Sequence, residues 1–114
     1  MVYKVVRAEE IDTDLELIFD FLVESAEQFG EDPETAFLRA ETRVTEIERS
    51  LEELIKVPHQ GTRRPHLGEG VRNVTKDRAI LYFDVDDETE IVRVLAVFFG
   101  GQEHNARILL RLLS

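Results

Sequence analysis

Five cations crowd into one stretch of an otherwise acidic chain. Arg63, Arg64, Arg72, Lys76 and Arg78 fall within residues 59–78, against only Glu69 and Asp77. Guanidinium and ammonium groups at that density can hold a phosphate or a carboxylate through charge-assisted hydrogen bonds. They can equally neutralise acids of the same chain, and their spacing does not separate the two uses. His59, His66 and His104 are the side chains that titrate near neutral pH. Of these, His104 lies where an apolar tail begins to read as a helix, a position from which an imidazole can act as general acid or base.

Other chemistries find less support. The chain has no cysteine, which removes disulfides, thiol nucleophiles and zinc–thiolate sites together. The three histidines match no zinc-binding spacing. Asp84, Asp86, Asp87, Glu88 and Glu90 suggest a calcium loop, but the sixth position from Asp84 is Thr89 and the twelfth is Leu95. A calcium loop needs glycine and glutamate there, so these acids read as a solvated turn. Ser25 and Ser50 sit in helical patterns with no nucleophile elbow. Gly100–Gly101 reads as a tight strand-to-helix turn. No metal and no cofactor is expected.

The totals bound the class. A chain of 114 residues with 43% apolar and 33% charged residues suits one folded domain spanning residues 1–114. Its opening, Met1 to Glu10, turns charged before a signal-peptide core could form. No apolar run approaches the ~20 residues of a membrane helix, so a cytoplasmic protein without a membrane partner is expected. The net charge is −10, and residues 8–53 hold 16 acids against 3 bases. That field repels nucleic acid and argues against general duplex binding.

The elements that must position these residues follow from periodicity. Residues 2–7 alternate as a short strand. Ile11, Leu15, Ile18, Leu22, Ala26 and Phe29 then line one helical face. That helix starts between Ala8 and Thr13, with Thr13 and Glu16 offering a capping box, and ends at Gly30. Asp32 followed by Pro33 starts a second helix, whose stripe Ala36, Ala40, Val44, Ile47, Leu51 and Leu54 runs to Pro58. Two helices so closely linked lie antiparallel.

After the basic stretch the period changes to two. Ala79, Leu81, Phe83 and Val85 share a face, with Ile80 and Tyr82 opposite. In the next strand Val92, Val94, Ala96 and Phe98 are expected on one face, and Ile91, Arg93, Leu95, Val97 and Phe99 on the other. A strand apolar on both faces needs cover twice. The helical pair covers one face. The tail is expected to cover the other with Ile108, Leu109, Leu112 and Leu113, leaving Arg107 and Arg111 on its outer side. The expected fold is α+β, a helical hairpin on a small antiparallel sheet, in the order β-α-α-β-β-β-α.

That order and several local strings resemble the RelE/ParE superfamily of type II toxin–antitoxin toxins, on the ParE-like, plasmid-stabilisation side. The matching residues are Asp14-Leu15; Leu54, Pro58 and Gly61; Gly70 to Arg72; Arg78 to Asp86; and Val92 to His104. The resemblance covers nearly the whole chain. It implies a cognate antitoxin and a homo- or hetero-oligomeric assembly. It also implies one of two activities: poisoning DNA gyrase by binding, or cleaving messenger RNA in the ribosome as an endoribonuclease.

Anchored on Tyr82, the resemblance puts Arg72 where the superfamily has a basic strand residue. The arginine expected before the tyrosine falls on Ala79, with Arg78 one step off, and Gly100–Gly101 replaces a cation after the last strand. Binding is therefore favoured over RNA cleavage, and no residue is assigned as catalytic in that reading. The nuclease alternative would use Arg72, Arg78 and His104; a non-toxic, partner-binding relative is the third reading. Partner or target contact is assigned to Arg63, Arg64, Arg72, Lys76, Phe98 and Phe99. An antitoxin wrapping the acidic helices should carry complementary Lys/Arg or apolar anchors, most simply on an amphipathic helix.

Overall fold

The computed structural model describes residues 2–100 and 104–113, with the side chains of 104–106 left aside. The chain opens with strand β1 (Lys4–Arg7), then helices α1 (Ile11–Gln28) and α2 (Pro33–Glu53). The two-residue strand β2 (Thr62–Arg63) follows, then β3 (Val71–Lys76), β4 (Ala79–Asp86), β5 (Ile91–Phe99) and helix α3 (His104–Leu113). Single 3-10 turns at Leu54–Lys56 and Pro65–Leu67 flank β2.

The second helix begins as its residues dictate. Asp32 accepts a hydrogen bond from the Thr35 amide at 3.0 Å, and Pro33 occupies the first helical turn. The first helix starts at Ile11 without a side-chain cap, so Thr13 and Glu16 form no capping box. It ends with Gly30 at φ +93°, a left-handed conformation that glycine adopts freely.

The strands form one sheet in the order β1-β5-β4-β3-β2. The sheet is mixed, not antiparallel throughout, because β1 lies parallel to β5. The reason is the connection: a whole helical hairpin and three strands separate β1 from β5. The strands from β2 to β5 pair antiparallel, β3 to β5 through short turns and β2 to β3 through the loop that holds the second 3-10 turn. Asp77 and Arg78, at φ 50° and 69°, form the two-residue turn between β3 and β4. Positive φ at both positions matches the right-handed twist of the strands they join.

A bulge sets the phase of β5. Tyr82 pairs with Ala96 but Phe83 pairs with Val94, leaving Leu95 as the extra residue. Strict alternation would group Val92, Val94, Ala96 and Phe98. Instead Val92, Val94, Val97 and Phe99 join the core under the helical hairpin, with Leu81 and Phe83 of β4 and Ile11, Leu15 and Ile18 of α1. Ala96 and Phe98 turn to the opposite face with Tyr82, where Ile108 of α3 covers them.

The tail therefore docks on its own sheet, but in a different rotation from the one its leucines suggest. Ile108 is buried, whereas Leu109, Leu112 and Leu113 remain accessible. Arg111 points inward to Asp14 instead of outward. The physical reason is the buried Asp14 carboxylate. A buried charge without a partner costs more than leaving leucine side chains partly in water.

Candidate functional site

The basic stretch divides between the two ends of β3. At one end, β2 and β3 place Arg63 directly opposite Arg72. Both line an open cleft of about 670 Å³ between the β2–β3 edge and the β4–β5 turn, together with His59, Arg93, Asp86 and Asp87. Like charges opposite each other destabilise a strand pair. Here the conflict is eased: Arg72 Nη1 donates to the His59 carbonyl at 2.7 Å, and acids line the same cleft.

A second network ties this end of the sheet together. The Tyr3 hydroxyl donates to Asp87 Oδ1 at 2.7 Å, and His59 Nε2 lies 2.7 Å from the same oxygen. A carboxylate only accepts, so Nε2 carries the proton. The rings of Tyr3 and His59 meet edge to face, 6.2 Å between centroids. Nearby, Asp86 Oδ1 accepts from the amides of Glu88 and Thr89. These acids are occupied as turn and network residues.

The hydrogen bond from Tyr3, with that from His59, holds the Asp87 carboxyl below the usual carboxylate range. Burial pushes Asp84 upward, with the Arg93 charge opposing it. Because folding depresses Asp87, its contribution is complete above the unfolded value of about 3.9. It is lost as pH falls through the lower folded midpoint. A carboxyl NMR titration should give Asp87 a midpoint below that of an exposed aspartate, and Tyr3→Phe should raise it. A wild-type midpoint at or above about 3.9 contradicts this assignment.

The other cations are spread out. Arg64 Nε donates to Asn73 Oδ1 at 3.3 Å. Lys76 lines a groove with Ser50 and Glu53 at the acidic flank of α2. Arg78 sits in the β3–β4 turn, beyond Lys76, where β3 ends four residues and roughly 13 Å from Arg72 at ~3.3 Å per residue. Its carbonyl accepts from the Gly100 amide at 2.7 Å. His104 opens α3, but its side chain lies outside the described residues, as does Gly101. Arg72 and Arg78 thus do not converge on one surface.

Phe98 and Phe99, read as partner contacts, are 4% and 5% exposed. Phe98 lies among the residues beneath α3, and Phe99 faces the helical hairpin beside Phe21. The bulge at Leu95 decides which of the two lies under α3 and which under the helical hairpin. Accessible apolar side chains include instead Leu17 and Phe21 on α1, Phe37 and Leu38 on α2, and Leu110 on α3.

In the sequence Asp14 stands out only as part of a matching string, and Arg111 reads as an outward charge. Asp14 is 4% exposed. Its signal was available: it falls three residues after Ile11 and four before Ile18, on the apolar stripe. An acid on that stripe demands a buried partner. Arg111 carried no such mark.

An antiparallel helical pair on one face of this mixed sheet, with a short helix on the other, defines the RelE/ParE toxin fold. Solved structures of such toxins carry it. A chain of the chromosomal ParDE toxin–antitoxin system from P. aeruginosa is 25% identical, over 87% of this chain and 97% of that one, with a TM-score of 0.60. A mutant of E. coli toxin RelE in the free state is 14% identical, over 99% of this chain and 96% of that one, at 0.61. A chain of the toxin–antitoxin complex RelBE2 from Mycobacterium tuberculosis is 18% identical, over 87% of this chain and 99% of that one, at 0.52. No protein-family model matches the sequence. No curated protein matches it either. Among the described residues, no helix is long and apolar enough to cross a membrane.

Proposed function

We propose that this chain is the toxin of a type II toxin–antitoxin pair, acting in the cytoplasm by gripping a target protein, with DNA gyrase as that target. The observation that carries the binding mode is the separation of the cations. Cleavage of RNA needs charge stabilisation and proton transfer at one phosphate. Arg72 and Arg78 stand at opposite ends of β3, and the sheet face between the β4–β5 pair and α3 is filled by Tyr82, Ala96, Phe98 and Ile108. The likeness to the ParDE chain supports the same reading.

The partner is a cognate antitoxin. It meets a surface rich in acids, with Leu17, Phe21, Phe37 and Leu38 accessible on the two helices. Apolar anchors flanked by Lys and Arg complement that surface. The second reading, messenger cleavage in the ribosome through Arg72, Arg78 and His104, draws on the likeness to RelE along 99% of this chain.

Induction of the chain alone tests both. Growth arrest with DNA breaks and intact messages is expected, reversed by co-expression of the antitoxin. Arrest with cleaved messages would move the assignment to the nuclease. Normal growth would leave a non-toxic partner-binding relative.

A further inference from the structure

The open edge of β5 is closed by two side chains in place of a strand. β1 pairs with β5 only from Ile91 to Val94, so the backbone groups beyond lose their neighbour on that side. Asp14 Oδ2 accepts from the Val97 amide at 3.0 Å. Arg111 Nη1 donates to the Leu95 carbonyl at 3.1 Å. The same two side chains bind each other, Nη2 to Oδ1 at 2.6 Å and Nη1 to Oδ2 at 3.1 Å. The carboxylate stands where a strand would offer a carbonyl, and the guanidinium where it would offer an N–H.

We propose that Asp14 and Arg111 form a combined plug and latch: they close the β5 edge at Leu95 and Val97 and, by the same bonds, clamp α3 over the apolar sheet face. Each part depends on the other. Arg111 belongs to α3, so α3 cannot lift without withdrawing the donor at Leu95 and leaving the Asp14 carboxylate without its cation. Lifting α3 also uncovers Tyr82, Ala96 and Phe98. The device makes edge protection and face protection one event. A helix of ten residues is marginal by itself in water, and among its described side chains Ile108 is the buried apolar one.

Amide hydrogen exchange tests the coupling. In Arg111→Met, which keeps a long apolar side chain without donors, the amides of residues 107–113 and of Val97 should together lose protection. The expected loss is about 10- to 100-fold, the range for one hydrogen bond to a charged group. The β3–β4 amides should keep theirs, which shows that the fold persists. The exchanged pair, Asp14→Arg with Arg111→Asp, restores opposite charges but sets a donor-only guanidinium at the position facing the Val97 N–H and an acceptor-only carboxylate at the position facing the Leu95 carbonyl. It should stay as open as the single variant.

Wild-type protection in the exchanged pair would reduce the contact to an ordinary ion pair and overturn the proposal. So would unchanged Val97 protection in Arg111→Met. If the Met variant does not fold, Arg111→Lys keeps the charge and loses the planar fork. Its protection at Val97 and in α3 should still fall, and wild-type values at both would again overturn the proposal.

Discussion

Phe83→Ala should cost about 3–5 kcal/mol, the range for removing a large aromatic from a closed core. Phe83 is fully buried and faces the helical hairpin with Leu81, Val92 and Val94. It pairs with Val94 on the far side of the bulge, where β5 changes phase. A cavity there is poorly placed to collapse, because the backbone on one side is already pinned by the bulge and on the other by β3. A domain of this size has about 5–15 kcal/mol in total, so roughly a fifth or more of its stability is at stake. Urea unfolding should show a midpoint lowered by roughly 2 M at a typical slope of ~2 kcal/mol per M, with the slope unchanged. A shift below about 0.5 M would mean that the core repacks and that the bulge does not hold this site rigid.

Gly61→Ala should have the next largest effect, and a more local one. Gly61 lies at φ +83°, and a Cβ there would fall inside the contact distance of the Asn73 carbonyl oxygen and 3.0 Å from its carbon. The left-handed backbone costs a non-glycine residue about 1–2 kcal/mol, and overpacking adds about 1–3 kcal/mol. The chain has an escape. β2 is two residues long and lies at the edge of the sheet, so it can peel from β3 before the core yields. The loss of global stability should therefore stop near the cost of releasing β2, while Thr62 and Arg63 lose their alignment with Asn73 and Arg72. NMR should show chemical-shift changes concentrated at residues 59–73, with β4 and β5 undisturbed. Changes spread evenly through the core would contradict this division. Under the proposed binding function, toxicity should fall if the Arg63–Arg72 wall contacts the target, and persist if the helical surface does.

The same glycine explains why one short motif was readable. Leu54, Pro58 and Gly61 each do something the chain cannot delegate. Leu54 is fully buried where α2 runs out, and Gly61 admits the close approach of β3. Pro58 stands between them in the connection, where no helix continues. The helical hairpin was equally legible, because a 3.6-residue stripe and an Asp-Pro start are local properties. The sheet's antiparallel half followed from turns of two to four residues. The direction of β1 did not, since a strand at the N-terminus can return beside either edge and nothing local chooses. The site was legible as a basic stretch but not as an arrangement. Arg63 and Arg72 come together because β2 and β3 are in register, while Arg78 is carried off to a turn. Phe98 and Phe99, assigned to partner contact, face opposite ways as adjacent strand residues, and cover on both faces hides both.

By itself the sequence determined the longer elements (though not the two-residue β2), the acidic hairpin, the absence of thiol chemistry and the concentration of positive charge before the sheet. Those depend on residue type and on spacing within a few turns. The tertiary structure alone decided the phase of β5 after Leu95, the inward turn of Arg111 and its meeting with Asp14. That meeting answers a demand that appears only once β1 stops short of β5 and leaves backbone groups to be satisfied. No periodicity records where a neighbouring strand ends.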